Sequence, residues 1–326
     1  MANEKTLAMG AAAPAERLAE VRRAGALPQL RYLLRSMRPR QWTKSGIVFL
    51  ALVFSVGQEY HLSDASTWVP KALEVLVAFV CFAMVSSAEY LVNDIRDVEA
   101  DRAHPKKRYR PIAAGLLPAR TAWSAAIVLA AAGNAAAFAL NWHMGLVILG
   151  YSLLMLAYTY ELKHIVLIDL MVIAAGFVLR AMAGALAIDA PISPWLYVVT
   201  ALGALFLGIN KRRAELELLE AGAGNHRRIL EEYTIPMLDQ MGSIVTGALV
   251  IAYGLYTFTA EGLPANHSMM LTIPFVLYGI FRYLYLVNVK KEGGSPEEVL
   301  LKDLPIMATA IAWVTTAGII LLFARA

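Results

Sequence analysis

The chain has 326 residues, of which 59% are hydrophobic and 17% are charged, and its formal net charge is +4. Its mean hydropathy is +0.56. The polar side chains are too few to cover a water-soluble globule of this length. The composition therefore excludes an ordinary soluble protein and predicts an integral membrane protein. The single cysteine, Cys81, excludes an intramolecular disulfide.

Residues 1–34 are predicted to be a cytoplasmic N-terminal extension that begins as a disordered segment. They lack the apolar core and small-residue cleavage site of a secretory signal. Leu30, Leu33 and Leu34 recur at helical spacing among arginines, which predicts an amphipathic helix on the anionic inner leaflet of a membrane. Residues 35–326 are predicted to form one transmembrane catalytic domain.

Apolar runs long enough to cross about 30 Å of hydrocarbon predict an all-α, polytopic protein with nine transmembrane helices. In chain order the runs cover residues 46–60, 72–92, 121–141, 144–160, 165–187, 194–210, 242–260, 270–288 and 305–324. Most of the 29 lysines and arginines precede the first run or fall on alternate connections after it. The positive-inside rule then places the N-terminus and these connections on the cytoplasmic side of the inner (plasma) membrane.

A charged stretch follows the second predicted span, and its acidic residues fall on one face of a helix. At about 100° per residue, Asn93, Asp94, Asp97 and Asp101 lie within an arc of about 100° that also contains Tyr90. Crowded carboxylates repel one another unless a cation neutralises them. Oxygen ligands without histidine or cysteine are typical of Mg²⁺, which fills its shell with water and substrate phosphates. The face therefore predicts a Mg²⁺–phosphate site; a solvated helix end with ordinary ion pairs is the plainer alternative.

Basic residues at the ends of other spans on the same predicted side are candidates to bind substrate phosphates. They are Arg40, Lys44, Arg108, Arg110, Lys163, Lys211 and Arg212. Glu215 is a further candidate, although an i, i+4 salt bridge with Lys211 is about as good an explanation for it. Arg180, predicted inside the fifth span, needs a partner because an unpaired cation in a membrane is costly. The candidate partners of Arg180 are Asp169 on the same helix and a group elsewhere in the protein.

These residues resemble the intramembrane UbiA-type prenyltransferase superfamily, typified by the aromatic polyprenyltransferases of quinone biosynthesis. The motif Asn-Asp-x-x-Asp-x-x-x-Asp after the second of nine helices carries the resemblance, which implies a UbiA-like intramembrane prenyltransferase fold. The stretches RPRQWTK, YLVNDIRDVEADRAHPKKRYRPIAAG, LKH, KRRAEL and PEEVLLKD are similar to a phosphoribosyltransferase branch, from about residue 35 to the end. Many members have a second carboxylate four residues after the position of Asp169, but here Ile173 follows, which leaves a second metal in doubt.

The resemblance implies a Mg²⁺-dependent phosphoribosyltransferase whose donor is 5-phosphoribosyl pyrophosphate and whose acceptor is decaprenyl (polyprenyl) phosphate, for cell-wall arabinan precursors. The expected catalytic residues are Asp94, Asp97, Asp101 and Lys44, the three aspartates being the expected Mg²⁺ ligands. The expected substrate-binding residues are Arg40, Tyr90, Asn93, Arg108, Arg110, Lys163, Lys211, Arg212 and Glu215, with Arg108 and Arg110 closing over the donor.

Two other functions stay open at this point. One is a UbiA-type polyprenyltransferase that moves a prenyl group from its diphosphate to a small aromatic acceptor. The other, which the sequence favours less, is a transporter whose charged connections line a vestibule. No nucleic-acid partner is expected. Small residues such as Gly176 and Gly184 permit close helix packing, which serves a homo-oligomer interface as readily as the interior.

Overall fold

The computed structural model describes residues 26–56, 59–104, 107–191, 193–220, 228–291 and 296–324. Within these ranges the chain is helical, and its one β-bridge is isolated. The α-helices are α1 (Ala26–Ser36), α2 (Leu50–Phe54), α3 (Ala65–Arg96), α4 (Val98–Ala103), α5 (Ala119–Leu140), α6 (Trp142–Tyr160), α7 (Ile168–Ala187), α8 (Pro194–Glu220), α9 (Ile235–Thr259), α10 (Ile273–Asn288), α11 (Pro296–Lys302) and α12 (Leu304–Ala324). Shorter 3-10 helices cover Pro39–Phe49, Lys107–Tyr109, Leu162–His164, Arg228–Glu232 and Ser268–Thr272. The predicted all-α class is confirmed.

Eight helical segments are long and apolar enough to cross a membrane. They are α3, α5, α6, α7, α8, α9 and α12, and also α10 taken together with the 3-10 helix that precedes it. Large apolar side chains on their outer faces, such as Ile127, Ile251 and Phe281, are more than half exposed, at 63%, 64% and 60%. Apolar surface on that scale is stable against lipid rather than water. The chain is an integral membrane protein.

The first predicted span, residues 46–60, differs in the structure. The 3-10 helix Pro39–Phe49 continues into α2, and these 11 and 5 residues do not form a span of the usual kind. The described residues thus contain eight candidate spans, and the predicted count of nine is not confirmed. The reason is helix type: because a 3-10 helix rises about 2.0 Å per residue, the composite helix covers about 30 Å with few residues. A ninth crossing by this segment stays a prediction.

Polar side chains fix the beginnings of three spanning helices. Asp64 before α3, Asn141 before α6 and Thr234 before α9 each accept a hydrogen bond from a backbone N–H of the first turn. These bonds satisfy amides that a helix leaves unpaired at its N-terminus. Asn141 also ends α5, so α5 and α6 are joined through a single residue and pack as neighbours.

The spanning helices follow one another around a ring. Contacts join α3 to α5, α5 to α6, α6 to α7, α7 to α8, α8 to α9, α9 to α10 and α10 to α12, and α12 contacts α2. The 3-10 helix Pro39–Phe49 packs against α3, α7 and α11. Its approach to α7 requires a glycine, because a Cβ on Gly184 would collide with the backbone carbonyl of Val48. The 3-10 helix thereby lies inside the ring.

Helix α1 is the part of the N-terminal extension that the structure describes. Tyr32 and Leu33 are partly buried in an apolar cluster that includes Leu91 of α3. Leu30 and Leu34 point outwards and are 53% and 45% exposed. This division agrees with an amphipathic helix, whose placement on a membrane surface stays a prediction. Residues 1–25 lie outside the described residues.

Candidate active site

A cavity of about 520 Å³ lies between the 3-10 helix Pro39–Phe49 and helices α3, α6, α7, α8 and α11. The charged residues that line it are Arg38, Lys44, Glu89, Arg180, Lys211 and Arg212. Apolar side chains complete the lining, among them Ile47, Met155, Ile173, Phe177 and Leu207. A cavity that is both cationic and apolar suits a ligand with an anionic group and a hydrocarbon part.

The helix that carries the acidic motif breaks within it. Helix α3 ends at Arg96, Asp97 has the non-helical backbone angles φ −86° and ψ 11°, and α4 begins at Val98. The predicted acidic helix is thus interrupted at one residue, although the backbone hydrogen bonds from the Asp97 N–H to the Asn93 carbonyl and from the Asp101 N–H to the Asp97 carbonyl are kept. By their basic partners, the four residues of the motif divide into two pairs.

Asp94 and Asp101 share one arginine. Arg110 Nη1 lies 3.1 Å from Asp94 Oδ1 and 2.6 Å from Asp101 Oδ2. Arg38 donates a further hydrogen bond to Asp94, and its guanidinium carbon lies 4.8 Å from the centre of the Tyr90 ring. Both carboxylates are buried. The two arginines offset charges that would be costly to bury alone.

Asn93 and Asp97 form the second pair, with Lys163 as their partner. Lys163 Nζ lies 3.3 Å from Asn93 Oδ1 and 3.0 and 3.1 Å from the two carboxylate oxygens of Asp97. Lys163 belongs to the 3-10 turn between α6 and α7, so this contact ties that turn to the end of α3. The Asp97 side chain is 31% exposed, which makes it the carboxylate of the motif that an ion reaches most easily.

The chemistry of these donors tests the predicted metal site. Within the described ranges, no three Asp, Glu, His or Cys side chains are grouped closely enough to hold a metal ion. Asp94, Asp97 and Asp101 are therefore not grouped as a ready-made set of ligands in the described part of the chain, and their role as Mg²⁺ ligands stays a prediction. Asn93 and Asp97 nevertheless present neighbouring oxygen atoms. Mg²⁺ usually takes one or two carboxylates and completes its shell with water and phosphate, so these residues fit Mg²⁺ that binds together with a phosphorylated substrate.

The remaining predicted residues divide into those at the cavity and those away from it. The cavity is lined by Lys44, Tyr90, Asn93, Lys211 and Arg212. Arg40 is exposed and is not part of this lining. Arg108 is also exposed; it stacks on Tyr109 and donates a 2.8 Å hydrogen bond to the Tyr109 hydroxyl. This neighbour in sequence holds Arg108, so its predicted closure over a donor is not seen, whereas Arg110 does reach the acidic motif.

Arg212 is held by two carboxylates. Its Nε lies 2.9 Å from Asp169 Oδ2, and its Nη1 lies 2.7 Å from Glu215 Oε2. The Tyr233 hydroxyl donates a 2.7 Å hydrogen bond to the other oxygen of Asp169. Burial, together with this bond, raises the pKa of Tyr233. Glu215 therefore has Arg212 as its ion-pair partner, whereas the sequence left open a salt bridge with Lys211 and a contact with substrate.

Arg180 is 6% exposed and lines the cavity. Its hydrogen bonds go to neutral oxygen atoms: Ser45 Oγ at 3.4 Å, the Gly176 carbonyl at 2.9 Å, Ser86 Oγ at 3.2 Å and the Tyr151 hydroxyl at 2.6 Å. A pairing with Asp169 is wrong, because Arg212 and Tyr233 occupy both oxygens of that residue. Partners on other helices are confirmed.

Sequence reasoning missed Arg38, Glu89 and Tyr151 as lining residues. In a 3-10 helix residues three apart fall on one line, and Arg38, Lys44 and Ile47 line the cavity at multiples of three. That spacing is visible in the sequence only if the helix type is known. Glu89 had one signal, since a carboxylate within a predicted span is functional by default.

A second cavity, of about 670 Å³, lies between α2, the end of α7, the start of α8, the end of α9 and α12. Its aromatic lining residues are Phe54, Trp195, Tyr253, Tyr256 and Trp313. Glu261 is its one charged lining residue among those described. Without a basic side chain, this cavity does not suit a phosphate. The contact of Val48 with Gly184 lies between the two cavities, because Ile47 and Arg180 line the first while Leu50 and Ala185 line the second.

Comparisons with known proteins agree with this architecture. Decaprenyl-phosphate phosphoribosyltransferases from Mycolicibacterium smegmatis and Mycobacterium tuberculosis are 38% and 37% identical to the chain, over 89% and 88% of it and 92% and 93% of their own lengths. The structure of a UbiA homolog from Archaeoglobus fulgidus bound to GPP and Mg²⁺ superposes with a TM-score of 0.67 at 20% identity, over 89% of this chain and 99% of that one. Residues 50–302 match the UbiA prenyltransferase family. The predicted fold is confirmed, and the chain belongs to the UbiA prenyltransferase family.

Proposed function

We propose that this protein transfers 5-phosphoribose from 5-phosphoribosyl pyrophosphate to decaprenyl phosphate, or a similar polyprenyl phosphate, and releases pyrophosphate. The charge of the first cavity carries the proposal: among the described residues, five basic side chains line it and one carboxylate, Glu89, does. Both substrates bring phosphate groups that such a lining neutralises. The relatives named for this activity share more than a third of their residues with the chain, which supports the same substrate pair.

The donor binds at the charged end of the cavity in this proposal. Lys44 on the 3-10 helix and Lys211 and Arg212 on α8 offer cations for its phosphate groups. Asp169 and Glu215 hold the Arg212 guanidinium by Nε and Nη1. An arginine fixed in this way keeps its orientation when the cavity is empty, so less entropy is lost when phosphate binds.

Mg²⁺ would be held by Asp97 with Asn93 beside it. Asp94 and Asp101 are proposed as further ligands, in competition with Arg110. When bound, the ion neutralises charge that develops on the leaving pyrophosphate. The neighbouring Lys163 limits repulsion between the carboxylate and the incoming phosphates.

The attacking group needs no strong general base. A phosphate monoester is already anionic at neutral pH, so its oxygen can attack the anomeric carbon directly. The residues around the cavity then have three tasks: they bind the two substrates, align them, and stabilise the charge that moves to pyrophosphate. Direct displacement inverts the anomeric carbon.

The charged end of the cavity faces the cytoplasm in this proposal, and the protein lies in the inner (plasma) membrane. The distribution of lysine and arginine supports this orientation. A water-soluble donor would then enter from the cytoplasm, and the lipid acceptor would enter sideways from the bilayer.

The test uses full-length protein in detergent, radiolabelled phosphoribosyl pyrophosphate, polyprenyl phosphate and Mg²⁺. We expect label in the lipid phase with the native protein and a loss of about 1,000-fold or more with Asp97→Asn, because the most accessible carboxylate of the motif is removed. The matched control is Glu99→Gln. Glu99 is exposed on α4 and pairs with Arg102 at 2.7 Å, away from the cavity, so this variant should keep activity within about twofold.

Two results would contradict the proposal. One is unlabelled lipid with the native protein while a polyprenyl diphosphate donates its chain to a small aromatic acceptor, which would identify a prenyltransferase of the same family. The other is equal loss in both variants, which would remove the acidic motif from the centre of the reaction.

A further inference from the structure

We infer that Arg180, with Ser86 and Tyr151, forms a second anion site inside the membrane that binds the phosphate group of the lipid acceptor. The inference rests on the proposed function for the identity of the ligand, but the site itself stands on the geometry of the cavity. Arg180, Ser86 and Tyr151 all lie outside the acidic motif and outside the basic stretches that the sequence assigns to the site.

The state of the Arg180 guanidinium is the first observation. It is nearly buried, it lines the cavity, and its hydrogen bonds go to three hydroxyl oxygens and one backbone carbonyl. Neutral partners satisfy the N–H groups, and the rings of Phe82, Tyr151 and Phe177 lie 5.5, 4.5 and 5.7 Å from the guanidinium carbon. These rings stabilise the cation in part, but no carboxylate of the described residues forms an ion pair with it. Within a membrane-spanning bundle such a charge is costly and marks an ion or substrate pathway. An anion entering the cavity would offset it.

Glu89 does not supply that anion in the structure. It is the one carboxylate among the described lining residues. No ion pair connects it to Arg180 in the described part of the chain, and its Oε2 is buried without a hydrogen-bond partner. The cavity therefore holds a cation and a carboxylate that are not paired with each other, so Glu89 leaves the Arg180 charge available to an incoming anion.

The depth of Arg180 is the second observation, and two of its partners measure it independently. Ser45 lies six residues into the 3-10 helix that starts at Pro39, which is about 12 Å at 2.0 Å per residue. Ser86 lies seven residues before Asn93 on α3, which is about 10 Å at 1.5 Å per residue. The guanidinium thus lies about 10 Å deeper in the bundle than the Asn93 and Asp97 pair.

This separation matches what the reaction requires. In a direct displacement the leaving pyrophosphate and the attacking phosphate stand on opposite sides of the sugar carbon, so two anion sites must face each other across the ribose. The outer site is the charged mouth of the cavity. The inner site is Arg180, and the apolar Phe177 and Met155 share its cavity. An anionic group whose hydrocarbon chain lies in the membrane reaches the inner site; a wholly polar donor has no such chain to bury.

The test measures KM for each substrate separately, in detergent, with native protein, Arg180→Ala and Arg180→Lys. We expect Arg180→Ala to raise the KM for polyprenyl phosphate about tenfold or more, and the KM for phosphoribosyl pyrophosphate to stay within about twofold. Arg180→Lys, which keeps the charge, should recover part of the acceptor affinity. The control is Arg282→Ala, which removes a guanidinium that pairs with Asp303 outside the cavity, and it should leave both KM values unchanged.

A binding measurement guards against a variant that folds poorly. In buffer without Mg²⁺ or donor, polyprenyl phosphate should raise the melting temperature of the native protein, the matching polyprenol should do so less, and Tyr151→Phe should lose part of the difference. Tyr151→Phe removes one hydroxyl from the site and leaves the guanidinium in place.

Two other outcomes overturn the inference, and a third separates it from the proposed function. A raised KM for phosphoribosyl pyrophosphate alone would assign Arg180 to the 5-phosphate of the donor. Unchanged KM values in a folded Arg180→Ala would make the residue purely structural. No transfer by the native protein, with phosphate-dependent stabilisation still present, would refute the proposed function and leave the lipid-phosphate site standing.

Discussion

Asp97 at the end of α3 and Asp169 at the start of α7 are the same chemical group in different settings. Asp97 is 31% exposed, and the charged group held against it is a lysine. Asp169 is fully buried, with one oxygen bonded to Arg212 and the other to Tyr233. Both Asp97 oxygens contact Lys163, but the side chain is open to solvent and an ion can approach it, whereas both Asp169 oxygens are enclosed with their partners. Burial and bonding, rather than residue type, thus decide which of these two aspartates an ion can approach.

Metal binding should separate the two aspartates most strongly. With Mn²⁺ and pyrophosphate added to the detergent-solubilised protein, we expect Asp97→Asn to weaken Mn²⁺ binding by about 100-fold, because it loses a direct ligand. Asp169→Asn should change binding by no more than about twofold. Electron paramagnetic resonance of free Mn²⁺ measures both. Equal weakening would mean that Asp169 is also a ligand and that the comparison fails.

The two aspartates should rank in the opposite order when the loss of unfolding free energy is measured. Asp169→Ala leaves the buried Arg212 without one of its carboxylates, which costs about 3–5 kcal/mol of unfolding free energy. Asp97→Ala removes a partly exposed pair and should cost about 0–1 kcal/mol. Thermal unfolding in detergent compares them, and a larger loss for Asp97→Ala would show that the charged end, rather than the buried pair, holds the bundle together.

Removing the hydroxyl that supports Asp169 should have a smaller effect. Tyr233→Phe deletes the hydrogen bond to the Asp169 carboxylate, which is worth about 1.5–3 kcal/mol, and it also removes the hydroxyl that accepts from the Leu167 N–H. The aromatic ring remains, so packing is preserved. Tyr278→Phe, at an exposed position on α10, is the matched control and should melt like the native protein. If both variants melt alike, Tyr233 contributes nothing to the buried pair.

The smallest change is expected at Glu215, the second carboxylate on Arg212. Its side chain is 26% exposed, so water compensates for a lost charge, and Glu215→Gln should cost less than about 1 kcal/mol. The KM for phosphoribosyl pyrophosphate should rise only slightly, because Asp169 still holds the guanidinium. A loss as large as that of Asp169→Ala would show that the two carboxylates act as one unit.

The sequence predicted the all-α membrane fold and the acidic motif, because hydropathy and helical spacing are local properties of the chain. It did not predict that the helix is interrupted at Asp97, nor that Arg110, Arg38 and Lys163 pair with the acidic side chains, because these contacts are tertiary. The pairing of Asp169 with Arg212, 43 residues later, is tertiary and leaves no periodic signal.

The type of helix between Pro39 and Phe49 is the second feature that could not be predicted from the sequence. The residues before and within Pro39–Phe49 align on the cavity at a spacing of three, whereas the sequence was interpreted with the spacing of an α-helix. The same difference shortened the first span below the usual length. Knowing that this segment is a 3-10 helix would have placed Lys44 and Ile47, three residues apart, on one line facing the cavity.

The contact between Val48 and Gly184 has a consequence for acceptor choice. Because backbone meets backbone there, the first cavity does not continue into the second at this point, and a hydrocarbon tail bound in the first must turn out between helices. Only the isoprene units nearest the phosphate would then lie inside the cavity. The cavity then makes no contact that depends on the length of the distal isoprene chain, so acceptors that differ only in their distal units should compete equally for the site.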